Sequence, residues 1–232
     1  MNAIITGANK GIGKAIAIKF AAAGYDLFLC ARNLELLNKT ATEISVAYPA
    51  AKINVKAVDV TVKAEVEQFA ESCLQYSTPD IVVNNAGTYI PGNTMDEPEG
   101  SLELMMQTNL YSAYYLTRKL VPAMIIKGSG HIFNMCSIAS LQAYEGGGGY
   151  SISKFALNGF SQNLRHELKA HGIKVTTIFP GAVLTDSWGN FDNSTGRIME
   201  TEDIANMVLA ASKLSPQAVV EAIVLRPQLG DL

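Results

Sequence analysis

The sequence predicts an α/β fold, a single doubly wound domain over residues 1–232 with a seven-stranded parallel sheet flanked by helices. Three observations carry this. Short β-branched runs alternate with longer amphipathic ones along the whole chain, the mark of strand–helix–strand units around a parallel sheet. A glycine-rich turn follows the first short run. No linker, composition shift or internal repeat divides the 232 residues.

Taken in order, "NAIIT" is the first strand, and "GIGKAIAIKFAAAG" the first helix, with Ile12, Ala15, Ile16 and Phe20 on one face. "DLFLC" is the second strand, followed by a helix whose apolar face is Leu34, Leu37, Ala41 and Ile44. "KINVKAV" leads to a helix carrying Val66, Phe69, Ala70 and Cys73, and "DIVVN" to one long helical region from about Ser101 to Lys127. "HIFNM" precedes a helix from about Tyr150, "KVTTIF" a helix with Ile204, Met207, Val208 and Ala211, and "EAIVLR" is the seventh strand.

Hydrophobic residues make up 48% and charged residues 17%, and the net charge of −3 lacks long single-sign runs. Such a surface does not suit nucleic acid or an anionic membrane, which leaves a small molecule or a protein as partner. Cys30, Cys73 and Cys136 are odd in number and sit among apolar neighbours, a reduced, metal-free and intracellular usage. The first apolar run ends in a glycine loop, and no stretch approaches the ~20 apolar residues of a membrane span. The expectation is a cytoplasmic protein with no membrane segment.

"TGANKGIG", Thr6 to Gly13, lies where the first strand hands over to the first helix. There, backbone N–H groups and the helix dipole both point at an anion, so the turn is a candidate phosphate cradle comprising Gly7, Asn9, Lys10, Gly11, Ile12 and Gly13. Gly7 takes the tight turn, Gly11 lets a ligand approach the backbone and Gly13 lets helix and strand pack closely. The spacing is G-x-x-x-G-x-G, not the commoner G-x-G-x-x-G.

With "NNAG" at 84–87, Asn109, Ser137, "YSISK" at 150–154 and "PGAVLT" at 180–185, this turn resembles the short-chain dehydrogenase/reductases over nearly the whole chain. The resemblance implies a Rossmann-type sheet of order 3-2-1-4-5-6-7. It further implies NADP(H) as cofactor, carbonyl reduction as activity, and subunits paired through the long helices after Ser101 and Tyr150, giving a homodimer or homotetramer.

A carboxylate at the tip of the second strand would bind the adenosine ribose hydroxyls and reject a 2′-phosphate. The tip reads Cys30, Ala31, Arg32, Asn33, with no acid before Glu35. Arg32 and Lys10 together look like the NADP-preferring members; the alternative is two solvated surface cations. The resemblance puts Asp59 and Val60 at the adenine, although Asp59 could equally cap the next helix. It puts Asn85, Ala86 and Gly87 near the adenosine ribose, and Pro180, Gly181, Val183 and Thr185 near the nicotinamide; both segments could also be ordinary turns.

Tyrosine and lysine at i and i+4 share a helix face, and the chain has three such pairs: Tyr48/Lys52, Tyr115/Lys119 and Tyr150/Lys154. Pro49 argues against a helix across the first, and the second follows neither a strand end nor a loop. Only Tyr150 has a serine, Ser137, thirteen residues upstream at the carboxyl end of a strand. A tyrosine hydroxyl has an ordinary pKa near ~10, and a neighbouring ammonium stabilises its phenolate. The resemblance makes Tyr150 the proton donor, Ser137 the group orienting the substrate oxygen, and Lys154 the partner of Tyr150 and holder of the nicotinamide ribose. Asn109 becomes the residue that kinks its helix and supports a water relay, unless it simply faces solvent.

Substrate identity is less legible. The loop "DSWGNFDNSTGR" carries Trp188 and Phe191, either substrate contacts or packing anchors. Cys136 reads as buried filler. The ending "AIVLRPQLGDL" departs from the "DGG" style of carrier-protein ketoreductases, which weakens a 3-oxoacyl thioester reductase role. A sepiapterin-reductase-like pterin carbonyl reductase and a general ketone and aldehyde reductase both remain, and an NADPH-binding sensor is the non-enzyme alternative. The four glycines 146–149 before Tyr150 predict an open, mobile, weakly lined substrate wall, with Tyr144 and Glu145 as its nearest side chains.

Overall fold

The computed structural model describes residues 1–231. Its seven strands are β1 (Asn2–Thr6), β2 (Asp26–Ala31), β3 (Ile53–Ala57), β4 (Ile81–Asn84), β5 (Gly130–Met135), β6 (Ile173–Pro180) and β7 (Ala222–Leu225). They form one parallel sheet in the order β3-β2-β1-β4-β5-β6-β7. The chain winds outward from β1 to β3, returns to β4 beside β1 and winds out the other way. The carboxyl ends of β1 and β4 therefore flank the crevice where such sheets receive ligands.

Strand residues alternate between two apolar layers because successive side chains point to opposite faces. Ile5, Leu27, Leu29, Val83 and Phe133 pack with Ile16 and Phe20 of α1 (Gly11–Ala22), Leu37 and Ile44 of α2 (Leu34–Ala47), and with Ile204 and Val208 further along the chain. Ile4, Phe28, Val82 and Ile132 face the other layer, with Val66 and Phe69 of α3 (Lys63–Tyr76) and with Leu116, Leu120 and Leu164. Among the described residues, no helix is long and apolar enough to cross a membrane.

Two expectations are corrected. Leu34 is exposed, not part of the apolar face of α2, because it is the first residue after the cap, where Asn33 accepts the Leu36 N–H at 2.9 Å; Thr40 takes its place in the buried stripe. The region from Ser101 to Lys127 is not one regular helix. A π-helical turn, Gln107–Tyr111, separates α4 (Ser101–Met106) from α5 (Ser112–Lys127). The next helix, α6, begins two residues before Tyr150 and runs Gly148–Leu168, and α7 is Thr201–Ser212.

The core holds one ionisable imidazole. His131 on β5 is buried against Phe133, with Nε2 2.7 Å from Thr176 Oγ1 on β6. Thr176 gives its only hydroxyl proton to the Val220 carbonyl at 2.6 Å, so Nε2 carries the ring proton and donates it. Burial, then the Lys174 cation, lowers the His131 pKa to about 3 from an ordinary 6.5. Between those values the unfolded chain binds a proton that the fold refuses, so stability is full above the upper value and falls as pH drops towards the lower one. Thermal melts across that window are expected to show a steeper loss for wild type than for His131→Gln, by at least a few degrees at about 2–4 °C per kcal/mol.

Candidate active site

At the end of β1, Thr6 ties the glycine turn to β4. Its Oγ1 accepts the N–H groups of Asn85 (3.0 Å) and Ala86 (2.9 Å), and Asn85 Nδ2 donates to the carbonyls of Thr6 (2.9 Å) and Gly7 (3.2 Å). Gly7 and Gly11 have φ of +66° and +54°, so both need glycine for backbone conformation, and for Gly11 this goes beyond the room for a ligand expected of it. Gly13 is steric: an added Cβ would collide with the Gly7 carbonyl. The helix that follows has no side-chain cap and no acid in its first turn, which leaves its N–H groups for an anion. Asn9 holds α2 by accepting from Thr40 Oγ1 at 3.0 Å, and Ile12 packs against the core.

Around this turn the two expected cations differ. Lys10 Nζ is 2.6 Å from Asp186 in the loop after β6, while Arg32, exposed beyond β2, enters no salt bridge among the described residues. Asp59 accepts from Thr61 N (2.9 Å) and Thr61 Oγ1 (2.7 Å), and these bonds hold its carboxyl below its ordinary pKa, with Arg32 contributing less. It closes a turn upstream of α3 and does not cap it, since the cap position is Val62. The Val60 side chain is buried in the core.

The four candidate reactive residues come from three elements. Asn109, in the π turn, is buried and does not face solvent: Oδ1 accepts Thr88 N–H at 2.7 Å, and Nδ2 donates to the Thr88 carbonyl (3.0 Å) and Ser153 Oγ (2.8 Å). Ser137 follows β5; its Oγ accepts the Ala139 N–H at 3.1 Å, which leaves the hydroxyl proton to donate. Lys154 is buried, with Nζ donating to the Met135 carbonyl at 2.8 Å and lying 5.7 Å from the centre of the Tyr150 ring. A Cβ on Gly87 would lie 3.2 Å from Asn109 Oδ1 and 3.5 Å from Lys154 Nζ, so that glycine stands where the two side chains converge. Tyr89, which the sequence did not single out, meets the Tyr150 ring edge-on at 5.0 Å. Cys136 is buried, and burial raises its thiol to about 11, so it is no nucleophile at neutral pH. The other two tyrosine–lysine pairs are structural: Tyr48 ends α2, and Lys119 pairs with Glu71 at 3.1 Å.

The expected open glycine wall is overturned. Gly146 donates to Asn93 Oδ1 (2.8 Å), and its carbonyl accepts the Gly92 N–H (3.1 Å). A Cβ on Gly148 would lie 2.5 Å from the Gly92 carbonyl, and one on Gly149 would lie 2.9 Å from Met105 Cε and 3.0 Å from both Glu97 carboxylate oxygens. The glycines are packed against residues 92–97, and only Gly146 has open space at its Cβ position. Beside them a cavity of about 480 Å³ is lined by Asn93, Thr94, Tyr144, Ile152 and Phe155 among others. Burial, then the neighbouring Tyr89 and Tyr150 phenols, raises the Tyr144 pKa.

After Pro180, the last residue of β6, Gly181 donates to the Leu225 carbonyl at 2.8 Å, and a Cβ there would collide with Asp231. Arg197 holds the carbonyls of Gly230 (2.8 Å) and Asp231 (3.2 Å), so the segment after β7 folds back over this turn, which nothing in the sequence announces. Val183 is buried and bridges to Met199, and Thr185 Cγ2 lies 3.5 Å from a Cβ built on Gly11, which brings this segment to the glycine turn. Trp188 and Phe191 pack on each other at 5.3 Å.

Residues 1–195 match the family model of short chain dehydrogenases. The chain is 34% identical to a sepiapterin reductase of Chlorobaculum tepidum, across 99% of this chain and 97% of that one. Among solved structures it is similar to a metagenomic short-chain oxidoreductase in complex with NADP (30% identity, TM-score 0.86, 98% and 97% of the two chains). It is also similar to an alcohol dehydrogenase of Thermococcus sibiricus complexed with 5-hydroxy-NADP (28%, TM-score 0.91, 97% and 96%). With a family match over most of its length and relatives aligned nearly end to end, the chain belongs to the short-chain dehydrogenase family of oxidoreductases.

Proposed function

We propose that this oxidoreductase reduces the carbonyl of a small molecule to an alcohol with NADPH, residues 1–232 acting as one dinucleotide-binding and catalytic unit. The observation that carries the reading is the buried Lys154 ammonium beside Tyr150, converging with Asn109 on Gly87. The uncapped, acid-free start of α1 behind two positive-φ glycines suits a pyrophosphate. Asn85, Ala86 and Gly87 form the adenosine-ribose side of the cofactor site, and Pro180, Gly181, Val183 and Thr185 its nicotinamide side. Arg32 carries the selection for a 2′-phosphate, because Lys10 already has an anionic partner in Asp186.

Bound NADPH supplies a hydride to the carbonyl carbon and is itself oxidised. Tyr150 gives its hydroxyl proton to the carbonyl oxygen, so the product gains one hydride and one proton and is an alcohol. Lys154 stabilises the phenolate left behind, and solvent returns the proton. Ser137 donates a hydrogen bond to the same oxygen and orients it. Asn109 acts by holding Thr88 and Ser153 and so the cleft around Lys154.

A pterin ketone is the second reading. The sepiapterin reductase relative supports it, as do the exposed rings of Tyr89 and Tyr144, which offer stacking surface near Tyr150. The buried free thiols of Cys30, Cys73 and Cys136 favour a cytoplasmic setting. Exposed Leu104, Tyr111, Ile152 and Phe155 on α4, the π turn and α6 favour a homodimer or homotetramer.

NADPH oxidation screened over diacetyl, aldehydes, a pterin ketone and 3-oxoacyl thioesters is expected to reveal a substrate, with Tyr150→Phe slower by at least ~10²-fold. Equal rates for the variant would refute the proton-donor role. Arg32→Glu is expected to raise the KM for NADPH about tenfold and leave that for NADH little changed, as loss of one charge-assisted phosphate contact predicts. Light scattering should give a mass of two or four chains, and a monomer contradicts the pairing.

A further inference from the structure

We infer that Glu97 is a positioning residue for Tyr150, capping the catalytic helix from a loop on the substrate side of the site. This rests on the reading of Tyr150 as proton donor. Helix α6 has no side-chain cap of its own: Gly147 stands at the cap position, and no acid lies in the first turn. The missing cap comes from 52 residues away, where Glu97 Oε2 accepts the Gly149 N–H at 2.9 Å. A carboxylate here satisfies an orphan donor and faces the positive end of the helix dipole. Gly149 is the residue directly before Tyr150, so the bond sets where the tyrosine backbone enters the cleft.

The glycine run is what lets this contact form. A Cβ at 148 would lie 2.9 Å from Glu97 Oε2 and one at 149 would lie 3.0 Å from both its oxygens, so side chains there would push the carboxylate away. Glu97 is itself preset, because its N–H and that of Asp96 both donate to the Asn93 carbonyl, at 2.8 and 2.9 Å. The same loop is pinned at its other end by Asn109 through Thr88, and it carries Tyr89 against the Tyr150 ring. Loop and helix are thereby held as one body, with Tyr150 at the joint.

The test uses the full chain with NADPH and diacetyl as the carbonyl probe. Glu97→Ala is expected to lower kcat about tenfold with the KM for NADPH unchanged, the signature of a misplaced proton donor in front of an intact cofactor site. Glu97→Gln keeps an oxygen that can accept the Gly149 N–H and is expected to restore kcat to within about twofold of wild type. Glu97→Asp, one methylene too short, should fall with the alanine variant. If Glu97→Ala does not fold, the Gln/Asp contrast decides alone. An active wild type and an inactive Tyr150→Phe, with Glu97→Ala or Glu97→Asp equal to wild type, overturn the positioning role and leave the reductase reading standing. A Gln variant as slow as Asp also overturns it. A Tyr150→Phe as active as wild type overturns the proton-donor role and the inference with it, and a wild type inactive on every carbonyl tested overturns the reductase reading as well.

Discussion

The site depends on one buried carboxamide. Asn109 sits where water cannot reach it, so each of its polar positions needs a partner or costs about 1–3 kcal/mol. It finds them in the Thr88 backbone, taken from both sides, and in Ser153 on α6. That set of bonds fixes the loop after β4 to the helix carrying Tyr150 and Lys154. The π turn provides the means, since an i→i+5 turn re-aims a helical side chain and such turns gather at functional sites.

A second polar chain sets α6 on the sheet. Asn84 Nδ2 donates to Thr117 Oγ1 (3.1 Å) and Asn134 Oδ1 (2.7 Å), Asn134 Nδ2 to Ser161 Oγ (2.8 Å), and Ser161 Oγ to the Leu157 carbonyl (2.8 Å). The ladder crosses β4, β5, α5 and α6 within a core that is otherwise apolar. Such a network resists sliding in a way that apolar contacts alone do not, because a one-residue shift would strand every donor. It leads towards the Met135 carbonyl, which holds the Lys154 ammonium.

Much of this was legible in the chain. Alternation between Ile4 and Ile5, or Val82 and Val83, registers the two faces of a strand, and the spacing of Val66, Phe69, Ala70 and Cys73 matches the buried stripe of α3. Glycines 7 and 13 could be read because the need is local, in a tight turn or in close approach. The run at 146–149 was misread as open space for a reason of the same kind. Glycine announces that a side chain has no room or no use, and only the fold tells which. Here Gly92, Glu97 and Met105 fill the place.

By itself the sequence determined the strand and helix order, the parallel sheet and the glycine turn between β1 and α1, because these rest on periodicity and turn chemistry that the backbone obeys locally, while Asn109, Ser137, Tyr150 and Lys154 became candidates through the resemblance that their motifs carry. Tertiary structure alone decided that Glu97 reaches Gly149, that Asp231 lies over Gly181, that Lys10 turns to Asp186 and that Asn109 spends its carboxamide on Thr88 and Ser153. Each of these joins residues that only strand pairing and helix packing bring within hydrogen-bonding or van der Waals range, and no local rule of the chain encodes such a distance.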